Sequence, residues 1–192
     1  MNPPDREARA ALREEARRLG MPPDAVLLVV EAEAHRLVVD EADGTVPPVV
    51  FPVSTAKAGL GERVNSQQTP RGFHRVADRI GADAPAGTVF VSRVASGEVL
   101  PPAAWVDSEG DRILSRILRL AGCEAGNNAG GACDTRERMI YLHGTNHERE
   151  VGRAASSHGC IRMRNEDIIF LFDQVSGREV WVWVGARVPG PG

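Results

Sequence analysis

Residues 141–163, YLHGTNHEREVGRAASSHGCIRM, hold three of the chain's five histidines (His143, His147 and His158) and one of its three cysteines, Cys160. Such a stretch can support a metal site, a redox thiol, or a nucleophile beside its base. His143 and His147 have the i, i+4 spacing that would set two imidazoles on one helix face toward zinc, with His158 and Cys160 as further ligands. Gly144, Thr145 and Asn146 are poor helix residues, however, and the glutamate of a metalloprotease helix is missing between the histidines. A thiol–disulfide role calls for C-x-x-C, which the stretch lacks. Nucleophilic catalysis accounts for more of the residues. In Ser157-His158-Gly159-Cys160, glycine before the thiol permits a tight turn with amides pointing toward a reacting carbonyl. A thiol of ordinary pKa, about 8.5, needs a base or a positive neighbour, and histidines and arginines lie within reach. The competing reading is an inert buried cysteine with incidental histidines. The spacing of His-Gly-Thr and Ser-His-Gly-Cys-Ile-Arg weighs against it.

Those residues need a frame, and 192 residues suffice for one domain with a real core. The net charge of −3 argues against a nucleic-acid partner held by phosphate neutralisation. No apolar run is long enough to span a bilayer. The N-terminal MNPPDREARAALREEARRLG has no apolar secretion core, which reads as a cytoplasmic protein, or a periplasmic one if Met1 is not the native start. Cys123 and Cys133 flank a Gly- and Asn-rich loop in which they could pair under oxidising conditions.

Pro3 and Pro4 lead into a helix that Asp5 can cap, with Ala8, Leu12, Ala16 and Leu19 at helical spacing up to Gly20. The thin, alanine-rich stripe reads as an appended surface helix. From Ala25 the texture turns to β. AVLLVVEA and RLVVDE form a hairpin, VVFPVST takes an edge or bulge because of Pro52, and GFHRVADRI and TVFVSRV follow. DRILSRILRLAG fits either a helix or a buried strand. RMIYLHGT is a strand ending at His143. Asn165 caps a short helix over 165–174 whose buried face is Ile168, Ile169, Leu171 and Phe172, and EVWVWV closes the fold before a PGPG tail. The expected organisation is a helical extension over 1–20, a mainly β, sandwich-like domain over 25–186, and a tail over 187–192.

HGT followed by SHGCIRM and RNED resembles the signature of the YkuD-type L,D-transpeptidase catalytic domain. FPVSTAKAGLG, TPRGFHRV and CEAGNNAGGACDTRERMIYLHGTNHE resemble that family's upstream segments in order, so the likeness runs from about Val26 to Val184. The resemblance implies a β-sandwich-like fold in which a thiolate is acylated by a peptidoglycan stem tetrapeptide. It makes Cys160 the nucleophile and His143 the general base, with the backbone at Gly144 holding the imidazole. His158 lines the acyl pocket, and the amides of Gly159 and Cys160 are the oxyanion donors. Arg162 takes a substrate carboxylate or braces the turn, Ser157 is a hydrogen-bonding brace, and Tyr141 and Thr145 flank the cleft. His147 falls outside the motif, Asn165 and Asp167 are helix-start residues, and His35 and His74 receive no role.

The resemblance calls for no metal or cofactor. Its partners are stem peptides or muropeptides, with carbapenem-type inhibitors as candidates for acylating the thiol. Attack on the diaminopimelate–D-alanine bond leaves a thioester. Water would make the protein an L,D-carboxypeptidase, the expected outcome for a cytoplasmic protein trimming tetrapeptides in murein recycling. An amine would make it a crosslinking L,D-transpeptidase. Two readings of another class are a zinc-stabilised module and a non-catalytic wall-binding domain.

Overall fold

The computed structural model describes residues 3–41 and 47–190, so the last two residues of the PGPG tail lie outside it. Helix α1 (Arg6–Arg18) begins where Asp5 accepts a hydrogen bond from the Ala8 amide at 2.9 Å, the cap its sequence promised. Among the described residues ten strands follow: β1 (Val26–Glu31), β2 (Arg36–Asp40), β3 (Val49–Pro52), β4 (Gly72–Ile80), β5 (Thr88–Val91), β6 (Val94–Val99), β7 (Ile113–Gly122), β8 (Tyr141–Thr145), β9 (Ile161–Met163) and β10 (Val180–Gly185), with α2 (Asn165–Gln174) before the last. The main path of the sheet runs β3-β2-β1-β10-β4-β7-β5-β6, and β8 branches from β7 to carry β9. Pro52 sits in the edge strand β3, where a missing amide donor is tolerated.

The ambiguous DRILSRILRLAG is strand β7, hydrogen-bonded to β4, β5 and β8. Leu114, Ile117, Leu118 and Leu120 are all fully buried. With both faces covered, the strand has no polar–apolar alternation to distinguish it from a helix.

The main core lies inside the curl of the sheet. Val26, Leu28 and Val30 of β1 meet Leu118 and Leu120 of β7, Leu142 of β8, Ile161 and Met163 of β9, and Ile168, Leu171 and Phe172 of α2. Ile169 is only half-buried, so that helix face is narrower than expected. The other face of β1 presents Leu27 and Val29 to Leu12 and Ala16 of α1, with Phe73 and Trp181 beside them. That explains the unbroken apolar run of β1, since each face meets a separate layer. Helix α1 is therefore part of the packing rather than a surface appendage, although Leu19 of its stripe is exposed. Among the described residues no helix is long and apolar enough to cross a membrane.

Arginines anchor α1 as much as its alanines do. Arg9 Nε donates to Asp40 Oδ1 at 2.8 Å, and Arg13 Nη2 donates to Asp40 Oδ2 at 3.0 Å, with both arginines buried. Removing one partner from such a cluster leaves buried charge uncompensated, at about 3 kcal/mol or more. Asp40→Ala should lower the unfolding free energy by about that amount and open α1 to protease. Unchanged denaturant midpoints with a protected helix would refute this role for Asp40.

Candidate active site

Strand β8 sets His143 in the sheet interior, buried, opposite Ile117 on β7 and beside Arg162 on β9. Its Nδ1 lies 2.7 Å from the Gly144 carbonyl oxygen. A carbonyl only accepts, so Nδ1 carries the proton and Nε2 is left as a lone-pair acceptor. Burial pushes the imidazole down to about 4, outweighing the Gly144 carbonyl that favours the charged form. The ring is therefore neutral at ordinary pH, as a general base must be.

The return segment brings Cys160 alongside. Leu142 pairs with Ile161, so the thiol sits just before β9, at the start of the shared ladder. Ser157 Oγ donates to the Cys160 carbonyl at 2.5 Å and accepts from the Gly159 amide at 3.2 Å. These two bonds tie the Ser157 side chain into the turn. The Gly159 amide, expected as an oxyanion donor, is engaged within the turn by that hydroxyl. Gly159 has φ +136°, and an added Cβ would press on Ile140 Cδ1 at 3.0 Å, so the turn requires glycine. Thr69 Oγ1 donates to the Gly159 carbonyl at 2.9 Å and accepts from the Ala56 amide, clamping the turn from outside.

Cys160 itself is half-buried, and its Sγ donates to the Met139 carbonyl at 3.5 Å rather than to His143. Burial pushes the thiol up to about 11. The resting pair is thus a neutral thiol beside a neutral imidazole.

His158 and Arg162 share one carboxylate that sequence spacing could not reveal. Asp111 Oδ2 accepts from Arg162 Nη2 at 2.6 Å and lies 3.1 Å from His158 Nδ1. Burial alone would raise the Asp111 carboxyl, but Arg162 and His158 outweigh it and hold it below the usual range. The Arg162 side chain is 3% exposed and also donates to Ser156 Oγ at 3.0 Å, which is the bonding of a brace. His158 is 67% exposed and faces a cleft of about 250 Å³ whose lining includes Val64, Gln67, Glu137, Arg138, Met139 and Ile140. Arg138 closes the back of that cleft by donating to the carbonyls of Gly61 and Gln68.

Tyr141 is buried against Phe90 and Ile117, with Cys160 packed on the same cluster. Its hydroxyl accepts from Arg93 Nη1 at 3.0 Å. Thr145 is fully buried and does not flank the cleft. Its Oγ1 accepts from the His147 amide, and its carbonyl accepts from Asn165 Nδ2. His147 lies apart, its Nε2 2.8 Å from the Gly110 carbonyl, so the three histidines face different partners. Among the described residues no three His, Cys, Asp or Glu side chains converge as a metal site requires. Asn165 is not the cap of α2, a place held by Arg164. It is the first helical residue, with a buried amide that bonds Thr145, Glu148 and Ser115. His74 is fully buried, its Nε2 3.2 Å from Thr135 Oγ1 and its ring driven down to about 4 by burial. All three cysteines are free thiols here.

The sequence profile of the L,D-transpeptidase catalytic domain, YkuD, matches residues 25–189. The chain belongs to this family. It is 33% identical over 111 residues to "Probable L,D-transpeptidase YbiS" of Escherichia coli K12, covering 57% of this chain and 34% of YbiS. The chain therefore spans about a third of the length of that relative. Among solved structures, L,D-transpeptidase LdtMt1 in complex with imipenem superposes with a TM-score of 0.51 at 21% identity, over 84% of this chain and 59% of that one. An L,D-transpeptidase from Mycobacterium smegmatis gives 0.49 at 22% identity, over 84% of this chain and 58% of that one. At such identities the likeness to LdtMt1 speaks for the fold alone: a mainly β, curled sheet with an N-terminal helix added.

Proposed function

We propose that this family member transfers acyl groups through Cys160, cleaving the diaminopimelate–D-alanine bond of peptidoglycan stem tetrapeptides. The observation that carries the reading is the Nδ1–H bond from His143 to the Gly144 carbonyl. It leaves Nε2 of a neutral ring as the acceptor, on the strand that pairs with the segment following the thiol. As Sγ attacks the carbonyl carbon, Nε2 takes the thiol proton and negative charge develops on the carbonyl oxygen, with the Cys160 amide the nearest donor. Collapse breaks the C–N bond, D-alanine leaves with the proton from His143, and a thioester remains.

Two groups can release it. Water gives a tripeptide, the L,D-carboxypeptidase outcome, and goes with soluble wall fragments in the cytoplasm. An amine of a second stem peptide gives a crosslink between diaminopimelates and goes with the periplasm. The relatives' names, which read L,D-transpeptidase, support the second. Incubation with purified disaccharide-tetrapeptide, followed by mass spectrometry, separates them. Tripeptide alone identifies hydrolysis, and dimer without tripeptide sinks it. Cys160→Ala should abolish every product and any covalent adduct with a carbapenem. A wild-type protein that neither forms the adduct nor releases D-alanine would leave a non-catalytic wall-binding domain as the reading.

A further inference from the structure

Strands β5 and β6 form a hairpin that projects from the end of the sheet, with Val91 paired to Val94 across the two-residue turn Ser92-Arg93. Both turn residues have positive φ, 49° and 69°. That geometry suits Asn-Gly and is unfavourable for arginine, so the turn holds a long side chain in a conformation its backbone does not favour. A strained residue of this kind invites a functional account when its side chain is aimed at a site.

Arg93 is aimed at one. Its Nη1 donates to the Tyr141 hydroxyl at 3.0 Å and lies 3.4 Å from Met139 Sδ. Tyr141 packs on the same cluster as Cys160, and the Met139 carbonyl accepts from the Cys160 thiol. One residue, Met139, thus touches both the guanidinium and the nucleophile. Two other arginines near the thiol are already occupied: Arg138 holds loop carbonyls, and Arg162 holds Asp111. Asp78 on β4, whose charge reaches Arg93, pairs with Arg119 and Arg136 at 3.3 and 3.5 Å. Arg93 has no carboxylate partner among the described residues, and its Nε and Nη2 are free for a planar acid.

Resting on the stem-peptide reading above, we propose that Arg93 binds a carboxylate of the donor peptide and is a specificity residue for acidic stems. Two carboxylates of that peptide carry the required chemistry, the terminal one on D-alanine and the one on the D-centre of diaminopimelate.

The test compares wild type, Arg93→Gln, Arg93→Lys and Arg93→Gly on three substrates: the tetrapeptide, its C-terminal amide, and the tetrapeptide amidated at the D-centre. Losing a charge-assisted contact should raise KM about tenfold or more, with kcat little changed and partial recovery in Arg93→Lys. The penalty should vanish on whichever amide removes the carboxylate that Arg93 holds. Iodoacetamide should alkylate Cys160 at the same rate in all four proteins. Arg93→Gly suits the turn and should melt no lower than wild type while losing the same discrimination, so misfolding cannot produce the effect. A wild type active on tetrapeptide, with Arg93→Gln showing unchanged KM on all three substrates, overturns the assignment alone. A wild type that turns over no tetrapeptide overturns the stem-peptide reading with it.

Discussion

Replacing His143 with glutamine should slow acylation of Cys160 about a hundredfold to ten-thousandfold at neutral pH and change the shape of its pH profile. The sign follows from the two shifted groups. His143 is pushed down to about 4, so the base is present in its neutral form above that pH. Cys160 is pushed up to about 11, so the thiol keeps its proton below that pH. Wild-type acylation by substrate or carbapenem should therefore form a broad plateau, falling on the acid side as His143 protonates and changing again only as the free thiolate appears. Without the base, only pre-formed thiolate reacts. The His143→Gln rate should then climb about tenfold per pH unit up to the thiol's own pKa. Ultraviolet thiolate absorbance, read as the difference between each protein and its Cys160→Ala counterpart so that Cys123 and Cys133 cancel, provides an independent readout. It should be absent at neutral pH in both proteins and emerge only on approach to pH 11. A thiolate signal at neutral pH in wild type that disappears in His143→Gln would establish an ion pair at rest and refute the neutral-pair mechanism.

Whatever is contiguous in the chain and repeats a recognisable spacing could be read without coordinates. His143, Ser157, Gly159 and Cys160 fall within one stretch, and the fold brings them together: His143 bonds the Gly144 carbonyl, and Ser157 holds the turn that runs through Gly159 to Cys160. The groups that position them are scattered. Asp111 precedes β7, Thr69 lies in a loop before β4, Arg93 is in the β5–β6 turn, and Arg138 precedes β8. Each meets the site through tertiary folding alone, so no local spacing announces it. β7 was ambiguous for a related reason. It is covered on both faces, and a bulge between Leu114 and Ile117, with Ser115 at φ 66°, interrupts its period. Asn165 shows a different limit. Asparagine before an apolar run reads as a cap, yet here the amide turns inward because Thr145, Glu148 and Ser115 offer it partners from three other segments. Helix α1 is held more firmly than its apolar stripe suggests, because a buried arginine pair is invisible to a count of apolar residues until Asp40 is placed beside it.

Gly144→Ala should produce the largest effect of any substitution that leaves the chemical groups intact. Gly144 pairs with Leu114 on β7 and Met163 on β9, so its backbone is fixed on both sides. An added Cβ would fall 2.3 Å from Asn165 Oδ1 and 2.7 Å from the Leu114 carbonyl oxygen. Neither atom can yield cheaply. The Asn165 amide is held by three partners at 2.6–2.8 Å, and the Leu114 oxygen is backbone in a central strand. Overpacking of this kind costs about 1–3 kcal/mol where the surroundings can relax, and more where they cannot. The strand must therefore move, and the Gly144 carbonyl, which orients His143, must move with it. Activity should fall further than stability, because a base displaced by about 1 Å can lose about a hundredfold in rate. In the paired measurement, denaturant unfolding should show a protein that is weakened but still cooperative. Carbapenem acylation of the folded fraction should be slowed well beyond the unfolded share. Adding Asn165→Ser removes the nearer clash but also strands the partners of the buried amide, and with the Leu114 contact remaining the rate should not return to wild type. Full recovery of the rate in the double variant would show that Asn165 alone, and not the strand position of Gly144, governs the imidazole.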